Sequence, residues 1–404
     1  MPSSREPADW LDHSHVPLLR TLATAVVRLA DTGSLQSFSL PYDPEAQRAL
    51  DRVVLACLRE RIDPPTSLPN LLRWCRTRPL EDWPLDLPSD AFGPEDFLVD
   101  RHSGEPTQLC HEWWAQGRDT AASQYDRMVV HRAMRLSQDA CQPQSYSAFR
   151  RLLVERPVLT SHDQFEIATD LYLEPVRALL DDIYELAPAA YRRDGVYTAC
   201  RRCLTLLTPL VDGGWWCERD QCRSQGPAPR GRVLDPDEVG EVCQLARPLR
   251  QFVTGPGRAE VELGQQLHAL ELPVEMWPGF DAYDLRITFP DGCVWAIDVK
   301  DQAHPGLLGR KAAPVRSEPG YDEACWVVPE YRVRARPDYL EVFARNRTAR
   351  AAGLRLLTDR QLVRAAKARL RGDRSARARI GPTEGTDSPF DGDSVADAPG
   401  DSDA

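Results

Sequence analysis

Residues 280–301 read FDAYDLRITFPDGCVWAIDVKD, and this stretch decides the fold of the C-terminal half of the chain. Apolar and polar residues alternate over 283–289, which predicts a strand whose apolar face carries Tyr283, Leu285, Ile287 and Phe289. Pro-Asp-Gly at 290–292 is a strong turn signal. Residues 293–300 form a second predicted strand that is apolar on both faces until its end. A strand of this kind is buried on both sides, so we expect it in the centre of a sheet.

Three ionisable side chains meet at the end of this predicted hairpin. Strand geometry repeats every two residues, so Asp298 and Lys300 share one face, about 6–7 Å apart. The antiparallel pairing brings Asp284, at the start of the first strand, level with them. Buried charges are costly without compensation, and a divalent cation between the two carboxylates would compensate them. Mg²⁺ (or Mn²⁺) prefers oxygen ligands and keeps waters that can attack a phosphodiester, and the lysine could orient or deprotonate such a water or stabilise charge on the phosphate.

A helix predicted over residues 258–270 supplies a further carboxylate. Its leucines form a buried stripe, and Glu260 lies three residues before Leu263, on the same inward face. We therefore expect Glu260 to support the catalytic site. Glu262 is the alternative, because it is less well aligned with that face.

Other ionisable residues near the motif leave some assignments open. Asp281 and Asp301 are possible substitutes for Asp284. His304 and Lys311 follow the motif, and we interpret both as loop or surface residues without a chemical role.

Four of the eleven cysteines are clustered, in the order Cys200, Cys203, Cys217 and Cys222. No secretory signal precedes them, which favours thiols over disulfides. Two close pairs separated by a hairpin's length are typical of a structural zinc site, and a turn at Gly213-Gly214 would bring them together. Four thiolates fill a tetrahedral shell, so this zinc would not be catalytic. The cluster resembles a zinc ribbon, and its arginines (Arg201, Arg202, Arg219 and Arg223) are candidates either for nucleic-acid contact or for bracing.

The 404 residues are enough for two or three domains, and we predict an α+β multidomain protein. A helical N-terminal domain is expected over 1–190, with helices at residues 45–61, 125–136, 146–154 and 171–186. Its Trp113-Trp114 pair and its histidines are interpreted as core or surface residues. A zinc ribbon over 195–224, a linker over 223–232 and an α/β domain over 236–372 are expected to follow.

The net charge of −11 is unevenly distributed along the chain. Residues 381–404 carry seven acidic residues and no basic one, which predicts a disordered acidic tail over 373–404. Residues 355–379 carry nine basic residues against two acidic ones. This arrangement is typical of a nucleic-acid contact with a tethered competitor, although a solvated helix face followed by a disordered tail explains it equally well. No apolar stretch indicates a membrane span, and we expect a cytoplasmic protein.

The carboxylates and the lysine together carry a resemblance to a known family. The pattern runs in the order Glu260, Asp284, Asp298 and Lys300. It resembles the PD-(D/E)xK, or restriction-endonuclease-like, superfamily over residues 237–370, including the strands and helices that follow the motif. Tyr283 stands where the family's name has proline, at a position that varies within the superfamily. The resemblance implies a restriction-endonuclease-like fold, with these four residues as the catalytic set and Asp284 and Asp298 as the Mg²⁺ ligands.

The combination of a helical half, a cysteine ribbon and this domain is similar to the endonuclease-related proteins of bacterial PIWI-RE defence islands. That resemblance implies a nuclease that works with a PIWI-type protein and a helicase against invading DNA. The leading hypothesis is therefore a metal-dependent DNA endonuclease. The alternatives are a non-catalytic nucleic-acid-binding or assembly module with a degenerate nuclease fold, and a nuclease directed at RNA. The sequence leaves the oligomeric state open.

Overall fold

The computed structural model describes residues 13–31, 41–88, 91–116 and 125–372. The predicted acidic tail, residues 373–404, lies outside the described residues. None of the described helices is both long and apolar enough to cross a bilayer.

The N-terminal half is predominantly helical. Its helices and strands are α1 (Val16–Asp31), α2 (Pro44–Arg59), α3 (Leu68–Thr77), α4 (Gln108–Trp114), α5 (Tyr125–Asp139), α6 (Pro143–Glu155), β1 (Val158–Thr160), α7 (Ser161–Thr169), α8 (Leu180–Ile183) and β2 (Tyr184–Leu186). Short 3₁₀ helices lie at Leu80–Asp82, Leu171–Leu179 and Ala189–Tyr191. The start of α2 is defined by Asp43, whose carboxylate accepts hydrogen bonds from the amides of Glu45 and Ala46, and by Pro44 in the first turn.

Three of the four helices predicted in this half are confirmed as α2, α5 and α6. The helix predicted over 171–186 is wrong. Its first part is the 3₁₀ helix Leu171–Leu179, which contains Pro175, a residue that cannot donate the i→i−4 hydrogen bond of an α-helix. Its last part is strand β2, which a distant strand recruits into a sheet.

The middle segment consists of short elements around the four cysteines. They are β3 (Tyr197–Cys200), β4 (Thr208–Pro209), β5 (Trp215–Trp216), α9 (Asp220–Ser224), β6 (Arg230–Leu234), α10 (Pro236–Val239), β7 (Val242–Leu245) and α11 (Arg247–Leu249), with a π-helical turn at Arg250–Thr254. The predicted turn at Gly213-Gly214 is confirmed as the connection of the β4–β5 hairpin. The predicted linker over 223–232 is wrong in its last part, because β6 begins at Arg230 and pairs with β3. Gly231 permits this pairing, since a Cβ there would lie 2.9 Å from the Arg201 Cα.

Strand β7 connects the two halves of the chain. It lies between β1 and β2 and pairs antiparallel with both. The predicted start of the C-terminal domain at residue 236 therefore stays a prediction. Strand β7 follows this residue, but it completes a sheet whose other two strands, β1 and β2, come before it.

The C-terminal half contains a five-stranded sheet with helices on both faces. Its elements are α12 (Gly255–His268), β8 (Val274–Met276), α13 (Pro278–Asp281), β9 (Leu285–Thr288), β10 (Val294–Val299), α14 (Pro305–Arg310), β11 (Glu323–Val328), α15 (Glu330–Ala335), α16 (Tyr339–Asn346), β12 (Leu356–Thr358) and α17 (Asp359–Leu370), with a 3₁₀ turn at Ala349–Ala351. The strand order is β12-β11-β10-β9-β8, in which β10, β11 and β12 are parallel and β8, β9 and β10 antiparallel. The predicted hairpin and central strand are confirmed as β9 and β10, and the mixed helix-and-sheet organisation is confirmed with them.

Two details of the predicted hairpin are wrong. Strand β8 was not predicted, and it covers the outer edge of β9. Tyr283 packs with Ala296 and Trp326, on the face of the sheet opposite Leu285. The alternation fails there because β9 begins only at Leu285, so the two residues before it do not follow the strand repeat.

Candidate active site

The end of the central strand β10 brings the predicted carboxylates and lysine together. Lys300 Nζ lies 3.1 Å from Asp298 Oδ2 and 3.9 Å from Asp284 Oδ2. The backbone is held on both sides, because the Lys300 amide donates to the Val327 carbonyl and the Val299 amide donates to Asp284 Oδ2. The Lys300 side chain keeps 28% of its surface exposed, so the group remains open to solvent at one side.

Burial and neighbouring charges shift the pKa values of both Asp284 and Lys300. Burial raises the pKa of Asp284 well above its ordinary value, and the nearby Glu260 carboxylate raises it further. Burial alone would lower the pKa of Lys300, but Asp298 and Asp284 more than reverse this effect, and its pKa is raised. Lys300 is therefore a charged ammonium at neutral pH.

Glu260 reaches the same region from α12 and is held by residues from two other elements. Its Oε2 accepts a hydrogen bond from Trp277 Nε1 at 2.6 Å and lies 3.2 Å from Arg150 Nη2. Burial raises the pKa of Glu260, and the Arg150 guanidinium opposes this shift. The alternative, Glu262, is more exposed and accepts a hydrogen bond from Gln221.

The structure gives both proposed substitutes for Asp284 other partners. Asp281 accepts a hydrogen bond from the Tyr146 hydroxyl at 2.8 Å and pairs with Arg150 at 3.3 Å. Asp301 has a fully buried side chain that bridges Arg219 at 2.8 Å and Arg332 at 2.7 Å. Of the carboxylates near the motif, Asp284 is the one that faces both Lys300 and Asp298.

The charges around this group do not balance. Four carboxylates (Asp281, Asp284, Asp298 and Glu260) surround two cations, Arg150 and Lys300. With all four carboxylates ionised, two negative charges are in surplus, and the raised pKa values of Asp284 and Glu260 show that burial and neighbouring carboxylates oppose this ionisation. A divalent cation would neutralise the surplus, and Mg²⁺ is commonly bound by one or two carboxylates plus waters. Asp284 and Asp298 fit that requirement as a pair. Among the described residues, no three carboxylates have oxygen atoms that all lie within 4.8 Å of one another.

A cavity of about 270 Å³ opens beside the group and is lined by both halves of the chain. Asp284, Lys300 and Glu260 line it, and the other lining residues include Gln108, Glu112, Asp126, Arg127 and Lys311. Glu112 of α4 accepts hydrogen bonds from the backbone amides of Ala303 and His304, at 2.6 and 2.9 Å. Burial raises the pKa of Glu112 to about 7.

His304 lies in the loop between β10 and α14, as predicted, but it is not a surface residue. Its ring is fully buried, and Nδ1 accepts a hydrogen bond from the Leu307 amide at 3.0 Å. Phe92 and Trp113 pack against it, with ring centroids 5.1 and 5.4 Å away. The loop after Lys300 is thus anchored in the aromatic core of the N-terminal half. Lys311 is exposed, as predicted, although it lines the cavity.

The four clustered cysteines form a closed group of buried sulfurs. All four Sγ atoms lie within 4.8 Å of one another, with 3.4 Å between Cys203 and Cys217 and 3.9 Å between Cys200 and Cys222. Zn–S bonds of about 2.3 Å in a tetrahedron separate the sulfurs by about 3.8 Å, so the group could hold zinc. The thiols of the other three cysteines surround Cys200 and lower its pKa.

The arginines of this segment are mostly structural. Arg219 is buried against Asp301, and Arg223 donates to the Cys217 carbonyl and pairs with Asp220. Arg202 donates to the Cys222 and Gln225 carbonyls. These contacts favour bracing over nucleic-acid contact for the cysteine segment.

Two family models match the chain. One is described as pPIWI_RE three-gene island domain Y and matches residues 18–160. The other is described as REase associating with pPIWI_RE and matches residues 257–374. Together the two matches support a PIWI-RE-island protein with a C-terminal region similar to the REase that associates with pPIWI_RE. No curated protein and no solved structure matches it.

The two matched regions meet at the carboxylates. Glu260, Asp284, Asp298 and Lys300 all lie in the second region. Arg150 and Glu112, which contact that group or the loop after it, lie in the first. Sequence reasoning missed both residues, because neither belongs to a motif and each is more than 100 positions from its partner.

Proposed function

We propose that the protein is a metal-dependent endonuclease that hydrolyses DNA phosphodiester bonds as part of a PIWI-RE defence system. The observation that carries this proposal is the position of Lys300 Nζ between Asp298 and Asp284 at the end of β10, beside an open cavity. The second matching family model supports a nuclease-like role. The excess of carboxylates over cations around Lys300 supports the binding of a divalent cation there.

Each residue has a distinct role in this proposal. Asp284 and Asp298 hold Mg²⁺ or Mn²⁺, which when bound supplies an activated water and a Lewis acid for the phosphate. Lys300 stabilises negative charge on the phosphate, because its ammonium group lies within 4 Å of both aspartates beside the cavity. Glu260 supports the group from α12. The cysteines hold structural zinc.

A basic stripe on α17 supports DNA as the substrate. Arg360, Arg364 and Lys367 of α17 and Arg371, which directly follows it, are exposed at intervals of four, three and four residues, and therefore share one face. None of these four side chains forms an ion pair with any part of the chain that the structure describes. An unpaired row of cations is suited to phosphates along a nucleic-acid backbone.

The descriptions of both family models support a PIWI-type protein as a partner. We extend the proposal to a helicase partner and to a cytoplasmic location. A second function has one observation in its favour. Lys300 already pairs with Asp298 at 3.1 Å, and in the described residues no three carboxylates have oxygens within 4.8 Å of one another, as expected of a nuclease fold kept only for binding or assembly.

The decisive assay incubates the purified protein with plasmid, single-stranded DNA and RNA in Mg²⁺, Mn²⁺ or a chelator. We expect metal-dependent DNA cleavage by the parent and a loss of about 10³-fold or more in Lys300→Ala and Asp298→Asn. Asp237→Asn, at an exposed aspartate of α10 that precedes the site residues in the sequence, serves as the matched control and should cleave like the parent. A folded parent that binds DNA in a salt-sensitive manner but leaves it intact would support the assembly function instead.

A further inference from the structure

Arg150 is a cation that the N-terminal half inserts among the carboxylates. Its side chain is 7% exposed and lies between Glu260, 3.2 Å from Nη2, and Asp281, 3.3 Å from Nε. The guanidinium also lies over the Trp277 ring, 5.5 Å from the centroid. Because its planar group contacts two carboxylates with different nitrogens, Arg150 fixes the position of both.

The loop that carries Trp277 and Asp281 has an unusual backbone. Trp277, Phe280 and Asp281 have φ angles of +52°, +58° and +67°, in the left-handed region that disfavours side chains. Each such residue is strained and persists only where its surroundings hold it. Here the Tyr146 hydroxyl and Arg150, both from α6, hold the carboxylate of Asp281.

These contacts determine where Glu260 can reach. Trp277 Nε1 and Arg150 Nη2 both bond to Glu260 Oε2, and Arg150 also lies 3.4 Å from Oε1. Both oxygens are therefore engaged on the side of α6 and Trp277. In the parts of the N-terminal half that the structure describes, no residue forms a hydrogen bond or ion pair with Asp284 or Asp298, and both stay close to Lys300.

We propose that Arg150 is a positioning residue that holds Glu260 out of the metal's coordination shell, so that Asp284 and Asp298 alone bind the ion. The inference rests on the proposed function, since it concerns the ion that those two carboxylates bind. With only two protein ligands, the shell keeps positions for waters and for a phosphate oxygen. A third carboxylate would occupy one of those positions and bind the ion more tightly.

If Arg150 holds Glu260 away from the ion, its loss changes metal affinity and turnover in opposite directions. Arg150→Gln frees Glu260, so Mn²⁺ binds about tenfold more tightly and cleavage at saturating Mn²⁺ falls about tenfold or more. A residue that merely held the two halves together would lower the melting temperature and weaken both properties. Arg150→Lys, which keeps the charge but loses the two-sided contact, should lie between the parent and Arg150→Gln.

The experiment measures Mn²⁺ binding by titration calorimetry on zinc-loaded protein at pH 8, together with melting temperature and DNA cleavage. The set includes the parent, Arg150→Gln, Arg150→Lys, Glu260→Gln and the Arg150→Gln/Glu260→Gln double variant. The exposed neighbour Arg151→Gln is the matched control and should behave as the parent. Because Arg150 acts through Glu260, the double variant should bind Mn²⁺ like Glu260→Gln, without the tenfold gain.

The outcomes separate the inference from the proposed function. An affinity in Arg150→Gln or Arg150→Lys equal to or weaker than that of a Mn²⁺-binding parent overturns the inference alone. A tenfold gain that survives in the double variant also overturns it, since the gain would not come from Glu260. A parent that binds no Mn²⁺ overturns the proposed function, and the inference with it.

Discussion

The four-cysteine group and the carboxylate–lysine group differ in how much of the chain builds them. The cysteines lie within 23 positions, between Cys200 and Cys222, and short turns bring them together. The carboxylate group combines the end of β10 with α12, and Arg150 joins it from 150 positions before Lys300. Local spacing therefore describes the first site almost completely and the second only in part.

The two groups also differ in how their charges are satisfied. The sulfurs are fully enclosed, and four thiolates leave a metal no open position. The carboxylates carry a surplus of negative charge beside a cavity, which leaves room for an ion, water and phosphate. A closed group of this kind stabilises a fold, and an open one is suited to chemistry.

The largest expected effect concerns the closed group. Cys217→Ser removes one of four ligands, and we expect loss of bound zinc and a drop in stability of about 5 kcal/mol or more. Metal content by atomic emission and the melting temperature measure both effects. Cys141→Ser, at an exposed cysteine outside the cluster, should change neither. Full zinc content in Cys217→Ser would exclude a four-thiolate site.

The next effect concerns Asp301, which connects the two groups. Arg219 lies between two of the cysteines, and Asp301 follows Lys300 directly. Asp301→Asn leaves the fully buried Arg219 without its carboxylate, which should destabilise the protein by about 3–5 kcal/mol. Urea titration measures the free energy of unfolding of both variants. Asp291→Asn, at an exposed turn, should lower it by less than about 1 kcal/mol. Equal costs would show that the buried bridge is not needed.

A smaller effect concerns Glu112, through which the N-terminal half holds the loop after Lys300. Its pKa is raised from 4.5 to about 7 in the folded state, so the folded protein binds the proton more tightly than the unfolded chain. Stability from this group is present below pH 4.5 and is lost as pH rises to about 7, by up to about 3 kcal/mol. The stability of Glu112→Gln relative to the parent should therefore rise across that window and level off above it. A difference that does not change with pH would contradict the buried carboxyl.

The smallest effect concerns the basic stripe, which lies outside both groups. Arg364→Ala and Lys367→Ala should each reduce the slope of log affinity against log salt by about 1 for DNA binding without metal. Zinc content and melting temperature should stay unchanged. Arg73→Ala, at an exposed arginine of α3, is the matched control. Unchanged slopes in both stripe variants would assign the stripe to a solvated helix face.

Much of the fold could be predicted because its signals are short-range. Alternation and the Pro-Asp-Gly turn indicate β9 and β10, and helical periodicity with an Asp43-Pro44 start indicates α2. The same alternation puts Asp298 and Lys300 on one face, where the structure has them. These patterns depend on neighbours within a few residues, so the sequence alone contains them.

The remaining features depend on contacts between distant segments. Strand β2 forms because β7 pairs with it, about 60 positions later, and a helical pattern over 171–186 carries no sign of that partner. His304 is buried because Phe92 and Trp113 enclose it, more than 190 positions away. Arg150 is likewise one arginine among many until the fold brings it to Glu260.

The central claim is that Asp284 and Asp298 together hold a divalent cation beside Lys300. A crystal structure of the zinc-loaded protein soaked in Mn²⁺, with anomalous data for manganese, tests it most directly. The account predicts an anomalous peak about 2.0–2.3 Å from a carboxylate oxygen of each aspartate, with Glu260 still on Arg150. Manganese bound elsewhere, or no peak between the two aspartates while Lys300 keeps its pairing, would contradict the account.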